Sequence, residues 1–231
     1  MKAKKMRLSF LTIMLLFCTS IFSQQFQCEK MHDDIKKWNE IKQPKNNTKW
    51  ANAIVSNKLF QQNSDGSLEY VYIFNSTDSF NIETIRKISF DFIGYEFPNL
   101  DNATRADMQT NSPKNGLIFK GKILKLGIFN GMMEVNQIHG NVLFDIRFKP
   151  NRIRFSIKIQ NYQVVKANSA GLAENYIEYI NKCFPLNQES NHKKSFAMAF
   201  INANSNCLNY TKKYLDYLNT HIKESQPTDE W

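Results

Sequence analysis

Between residues 144 and 159 the chain alternates apolar with polar side chains, interrupted once, at Pro150-Asn151. No other feature restricts the fold as much. Proline holds φ near −65° and asparagine tolerates positive φ, so the dipeptide suits a two-residue turn. Counting outward from it pairs Phe148 with Ile153, Ile146 with Phe155, Phe144 with Ile157 and Val142 with Ile159. Eight apolar side chains then share one face of an antiparallel hairpin, and a slip of one residue would turn a strand's whole set to the other side.

The same register sets Lys149 against Arg152 and Arg147 against Arg154 on the opposite face, with Asp145 among them and Lys158 further along. Like charges directly opposite one another destabilise a ladder by about a few tenths of a kcal/mol each. A face that carries them is either well solvated or meets an anion. Arg147, Lys149, Arg152, Arg154 and Lys158 are therefore the candidate anion-binding group.

The hairpin sits in a longer strand-like region, 117–165, broken near Gly127, Gly131 and Gly140, which predicts three or four antiparallel strands. Upstream, Leu68 to Phe74 follows the turn signal Ser64-Asp65-Gly66 and reads as a strand with two apolar faces, covered on both sides or interior to its sheet. A helix follows, capped by Asp78 or Ser79, with Ile82, Ile85, Ile88 and Phe92 on one stripe and Gly94 at its end. Residues 97–116 are polar, with Pro98, Pro113 and Gly116, and predict a long loop. Residues 26–41 read as an amphipathic helix stopped by Pro44, and 45–49 as a polar connection. At the other end, 171–183 and 190–222 read as two helices. The second carries Phe196, Phe200, Ala203, Cys207, Tyr210, Tyr214 and Tyr217 at core spacing, and the asparagines of 202–206 predict a kink in it. Residues 226–231 read as a frayed tail.

A composition of 42% hydrophobic and 22% charged residues excludes a disordered tail and a multi-span membrane protein. Lys2, Lys4, Lys5 and Arg7 precede an apolar run over 8–22 that is shorter than a membrane-spanning helix, and Ser23 gives a small residue at a cut. Residues 1–23 therefore read as a signal peptide, whose removal lowers the net charge from +9 to +5, since four of the 30 basic residues and no acidic one leave with it. Three cysteines remain, Cys28, Cys183 and Cys207, an odd number that allows at most one internal disulfide in an oxidising compartment. Each also lies on an apolar helical stripe and reads equally as a buried thiol. A Cys183–His192 nucleophile pair has no signature around it. The sequence has no His-Glu-x-x-His, Cys-x-x-Cys, glycine-rich phosphate loop or Gly-x-Ser-x-Gly, so no metal, cofactor or familiar hydrolase centre is expected. His32-Asp33-Asp34 point in different directions on a helix, and His139 and His192 stand alone. Lys193-Lys194 and Lys212-Lys213 read as the wet side of the last helix.

The order strand, helix, long loop, antiparallel meander, helix resembles half of a TATA-box-binding-protein-like (TBP-like) fold. It is similar to a secreted family of unknown function common in Bacteroidetes-type bacteria. The resemblance rests on Leu68 to Phe74, on Ile118-Phe119-Lys120-Gly121-Lys122-Ile123, and on the hairpin Ile146 to Phe155, whose basic positions Lys149, Arg152 and Arg154 agree with that family's Lys-Asp-Gly-Arg-Tyr-Arg. Pro150-Asn151 here replaces Asp-Gly, and Ile153 replaces Tyr. The resemblance implies an α+β fold with a TBP-like domain over 51–166, an N-terminal helical extension over 24–50 and a C-terminal helical region over 167–231. It implies no activity. Two functional readings follow: a non-enzymatic exported protein presenting a basic sheet face to an acidic envelope polymer, lipid head group or protein, and a hydrolytic or accessory enzyme with a site near the 97–116 loop. Nucleic acid is not expected as a partner, because fold does not fix function and export argues against it.

The leader makes a direct prediction. N-terminal sequencing of the exported protein should begin at Gln24 or within a few residues of it, and recovery of intact Met1 in a membrane fraction would refute the assignment.

Overall fold

The computed structural model describes residues 26–98, 108–109, 111–130, 134–168 and 173–224. The expected leader, Gly131, half of the 97–116 loop and the 226–231 tail lie outside the described residues. In chain order the elements are α1 (Glu29–Glu40), α2 (Asn47–Ser56), β1 (Gln61–Gln62), β2 (Leu68–Asn75), α3 (Ile82–Glu96), β3 (Gly116–Asn130), β4 (Glu134–Lys149), β5 (Arg152–Asn168), β6 (Ala173–Tyr179), a 3-10 turn (Ile180–Lys182) and α4 (Lys193–Glu224). The chain is α+β, with one antiparallel sheet and four helices among the described residues.

The sheet runs β1-β2-β5-β4-β3, with β6 also on β5. Strand β5 is long enough to take two partners on one edge: β2 along Arg152 to Ile159, then β6 along Asn161 to Ala167. Its other edge pairs with β4 throughout, and the turn at Pro150-Asn151 sets Phe148 against Ile153, Ile146 against Phe155, Phe144 against Ile157 and Val142 against Ile159. All eight of these side chains are buried. Strand β2 is interior to the sheet, with Leu68, Tyr70, Tyr72 and Phe74 buried and the alternate residues half-buried.

The helices cover that apolar face. Phe155 stacks on Tyr214 of α4 (4.6 Å between centroids), Tyr162 meets Phe196, and Phe92 of α3 meets Tyr214 from the side. The Tyr214 hydroxyl bonds Ser89 of α3 at 2.7 Å. Helix α1 docks through Asp34, which is buried, accepts from the Tyr72 hydroxyl (3.0 Å) and pairs with Lys30.

Several local expectations change. Residues 173–179 form strand β6 rather than a helix. Tyr176, Ile177 and Tyr179 suit a strand, and the vacant edge of β5 offers backbone partners that an isolated short helix would lack. The 45–49 connection instead launches α2, because the Asn46 side chain caps it, accepting from Thr48 and Lys49 N–H at 2.9 and 3.3 Å. Asn81, not Asp78 or Ser79, caps α3, and Gly94 lies inside it. Helix α4 runs through 202–206 without a break, because its asparagines find partners: Asn202 donates to the Leu126 carbonyl (2.8 Å), Asn204 to the Tyr70 hydroxyl (3.1 Å) and Asn206 to the Asn202 carbonyl (2.7 Å). Gly127 and Gly140 mark irregularities within strands rather than their ends. A Cβ on Gly127 would stand 2.8 Å from the Ser195 carbonyl oxygen, so this glycine lets the start of α4 rest on β3.

Truncating Phe155 to Ala should cost about 3–5 kcal/mol, as for other buried aromatics. Arg152→Ala, on the exposed face, should stay within about 0.5 kcal/mol. Urea midpoints of the two variants check the register, and equal shifts would refute it.

Candidate functional site

The register brings all five expected cations onto the face away from the helices, but three of them meet carboxylates. Arg147 bonds Asp145 (2.5 Å), and Arg154 lies between Asp145 (3.7 Å) and Glu69 of β2 (2.8 Å). Lys158 reaches Asp65, in the turn before β2, at 2.6 Å. Burial pushes the Glu69 carboxyl up, yet the Ser156 hydroxyl (2.6 Å) and the Arg154 guanidinium outweigh it and hold the group below its ordinary value. The Lys158 ammonium and Ser67 likewise hold Asp65 down. Asp145 is visible within the hairpin sequence, whereas Glu69 and Asp65 lie more than 80 residues upstream and arrive only through the β2–β5 pairing. Lys149 and Arg152 stay exposed at the hairpin tip, opposite one another. Arg152 donates to Asn75 at 3.1 Å, and no carboxylate among the described residues pairs with either cation.

A groove of about 730 Å³ opens at the end of α3, where the 97–116 loop begins. Glu96, Phe97, Lys120, Lys122, Leu124 and Tyr210 line it. Phe97 packs on Phe119, Phe144 and Tyr210, forming an apolar floor. Glu96 accepts from Lys213 at 2.5 Å, and burial, aided by Glu96, pushes the Tyr210 hydroxyl up to about 12. The groove thus offers an apolar wall, an ion pair and two lysines at its lip.

Cys28, Cys183 and Cys207 are buried and free. Burial raises all three thiols, that of Cys183 to about 12, which removes the thiolate on which cysteine chemistry depends. Cys183 donates to the Tyr179 carbonyl at 3.3 Å, whereas His192 stacks on Phe129, so the structure does not pair them. Of His32-Asp33-Asp34, Asp34 alone turns inward, as its position three residues after the buried Met31 allows. Among the described residues no group of three His, Cys, Asp or Glu could hold a metal ion, and no helix is long and apolar enough to cross a membrane.

No family model matches the chain, and no curated protein does. Among solved structures the chain is similar to a DUF4468 family protein from Bacteroides ovatus, with a TM-score of 0.37 and 7% identity over 74% of this chain and 94% of that one.

A further device on the outer face was not legible in sequence. The β3–β4 register shifts between Ile123 and Gly127, and the β4–β5 register between Asn141 and Val142. At the first shift Lys125 adopts φ 54°, and its N–H donates to Nδ1 of His139 at 3.0 Å. His139 is 8% exposed, and burial, with Lys122 and Lys125 nearby, lowers its pKa from the ordinary 6.5. The fold therefore holds this imidazole neutral, as the acceptor role at Nδ1 requires. Because the unfolded chain binds the proton more readily, His139 contributes stability that is complete above pH 6.5 and lost as pH falls toward the folded value. The urea midpoint should drop between pH 7.5 and pH 5.5, and His139→Asn should shrink that drop. An unchanged difference would remove His139 from the account.

Proposed function

We propose that the protein is an exported, non-enzymatic binding module of TBP-like topology that engages an acidic envelope polymer through the tip of its basic hairpin. The observation that carries this reading is the exposed pair Lys149 and Arg152, set directly opposite by the turn. A sheet that places side by side two cations with no carboxylate partner among the described residues gains nothing locally from doing so. An anion bridging them would relieve the repulsion and collect two charge-assisted hydrogen bonds. Arg147 and Arg154, already held by Asp145 and Glu69, form a rigid base behind the pair. Support for export comes from the leader composition of residues 1–23, and support for the topology from the succession β2, α3, the β3-β4-β5 meander and α4.

The second reading, a hydrolytic or accessory enzyme, is favoured by the groove beside Phe97. Its described lining holds Glu96 and Tyr210, the one engaged by Lys213 and the other kept protonated. A general hydrolase panel with a Glu96→Gln control addresses it.

Converting Lys149 and Arg152 together to Gln should weaken retention on a sulfated-polysaccharide column by about tenfold or more, given about 1 kcal/mol per surface cation. The binding should fade between low and physiological salt, where the Debye length shortens to about 8 Å. Converting Lys193 and Lys194 instead removes the same charge, so equal losses in the two variants would mean that net charge alone matters. Anionic vesicles run in parallel separate a lipid head group from a polymer.

A further inference from the structure

Beyond the two register shifts the outer face of the sheet changes character. The ladders carry Gln137 across to Ile128 on β3 and to Val165 on β5, and Asn141 across to Asn161 and then Tyr179 on β6. Between these rows Gln163 lies opposite both His139 and Ile177. Directly paired residues share a face, so the rows form one surface spanning β3, β4, β5 and β6 on the side away from the helices. None of these positions holds Asp, Glu, Lys or Arg. Surfaces of soluble proteins are about a quarter to a third charged, so about a dozen outward positions would ordinarily hold about four charged side chains. Here the charges stop at the border: Lys122 opposite Asn141, Lys125 in the bulge, and Lys182 reaching over the Tyr179 ring at 5.8 Å. The basic hairpin lies on the same outer face, on the far side of the register shifts.

Two kinds of side chain fill this uncharged area. Ile128, Val135, Ile177 and Tyr179 are 55%, 46%, 47% and 55% exposed, high values for large apolar groups. Between them stand the amides of Gln137, Asn141, Asn161, Gln163 and Asn175, each carrying donors and an acceptor. Asn141 donates to Asn161 at 2.6 Å, which orients that pair. Apolar patches with interspersed amides match a ligand whose surface alternates C–H faces with hydroxyl groups. The exclusion of charge matches a ligand that carries none, because a charge buried against it would lose its water without gaining a partner. We propose that this half of the outer face docks a neutral polysaccharide, with ring C–H faces lying on Tyr179, Ile177 and Ile128 and hydroxyls bonded to the amides. Four strands about 4.8 Å apart and six residues rising about 3.3 Å each make an area of about 14 by 20 Å, room for about three or four hexose units. The site uses neither the residues nor the charge of the hairpin tip.

The test is electrophoresis of the whole chain in native gels cast with laminarin, mannan or dextran, with albumin as the mobility standard. The chain should be retarded in at least one of the three, and the retardation should persist at raised salt. Tyr179→Ala removes the stacking surface and Gln163→Glu places a charge in the area. Both side chains are on the outer face, so each variant should keep its thermal midpoint while binding about fivefold or more weakly. The Lys149→Gln/Arg152→Gln variant should bind the neutral polymer as the unaltered chain does, which separates this site from the anionic one. Free mobility in all three gels, or equal retardation of both face variants and the unaltered chain, would overturn the proposal. A dimer in light scattering that Tyr179→Ala dissolves, without polysaccharide retention, would overturn it in favour of a second copy on this face.

Discussion

The molecule depends on one ladder, the pairing of β4 with β5. Its turn holds Phe148 against Ile153, and every later pair inherits that choice. Slipping it by one residue would move buried side chains into water at a cost of about 1.5–3 kcal/mol each, so no neighbouring register competes. Strand β5 then acts as the common spine. Strand β2 joins its first half and brings Tyr72 to meet Asp34 of α1; β6 joins its second half and leads through Cys183 toward α4. The positions of α1, α3 and α4 follow from the side chains that this spine and its partners turn inward, and α2 packs on α4.

The outward residues are divided by the same ladder. Before the register shifts the face is charged, and away from the Lys149 and Arg152 tip its cations are answered by Asp145 within the hairpin and, across strands distant in sequence, by Glu69 and Asp65. After the shifts it is amide and apolar. The irregularities separate two surfaces of different chemistry on one side of a sheet whose other side packs the core along most of its length. Outer-face residues are therefore free to vary in chemistry without disturbing the packing beneath them.

The hairpin was legible because alternation around a single turn, broken only by Leu143, leaves one register that buries all eight inward apolar residues. The basic group was legible for the same reason. Its acidic partners were not, since nothing local links Glu69 to Arg154. Strand β6 was misread because Ala173, Tyr176, Ile180 and Cys183 satisfy a helical period, and what decides its form is the open edge of β5. Likewise the asparagines of 202–206 argue for a kink only until Leu126 and Tyr70 are placed beside them. The His139 contact needed the backbone of the bulge, which side-chain patterns do not report. In each case the missing information was tertiary: a partner brought close by pairing of remote segments.

The bulge in β3 has a consequence for the behaviour of many copies together. Among the described residues this fifteen-residue strand closes the sheet at one side, and its edge is engaged only in places, at the Ile118 N–H by the Ser112 hydroxyl and at the Leu126 carbonyl by Asn202. A long, flat edge is a template on which further chains can add. The break between Ile123 and Gly127 bends that template in the middle. An incoming strand can follow one half or the other but not both. Lys120, Lys122 and Lys125 are spread along the same edge, so an antiparallel copy laid against it would set like charges together. The irregularity that receives His139 thus also works as a guard against polymerisation of the folded chain.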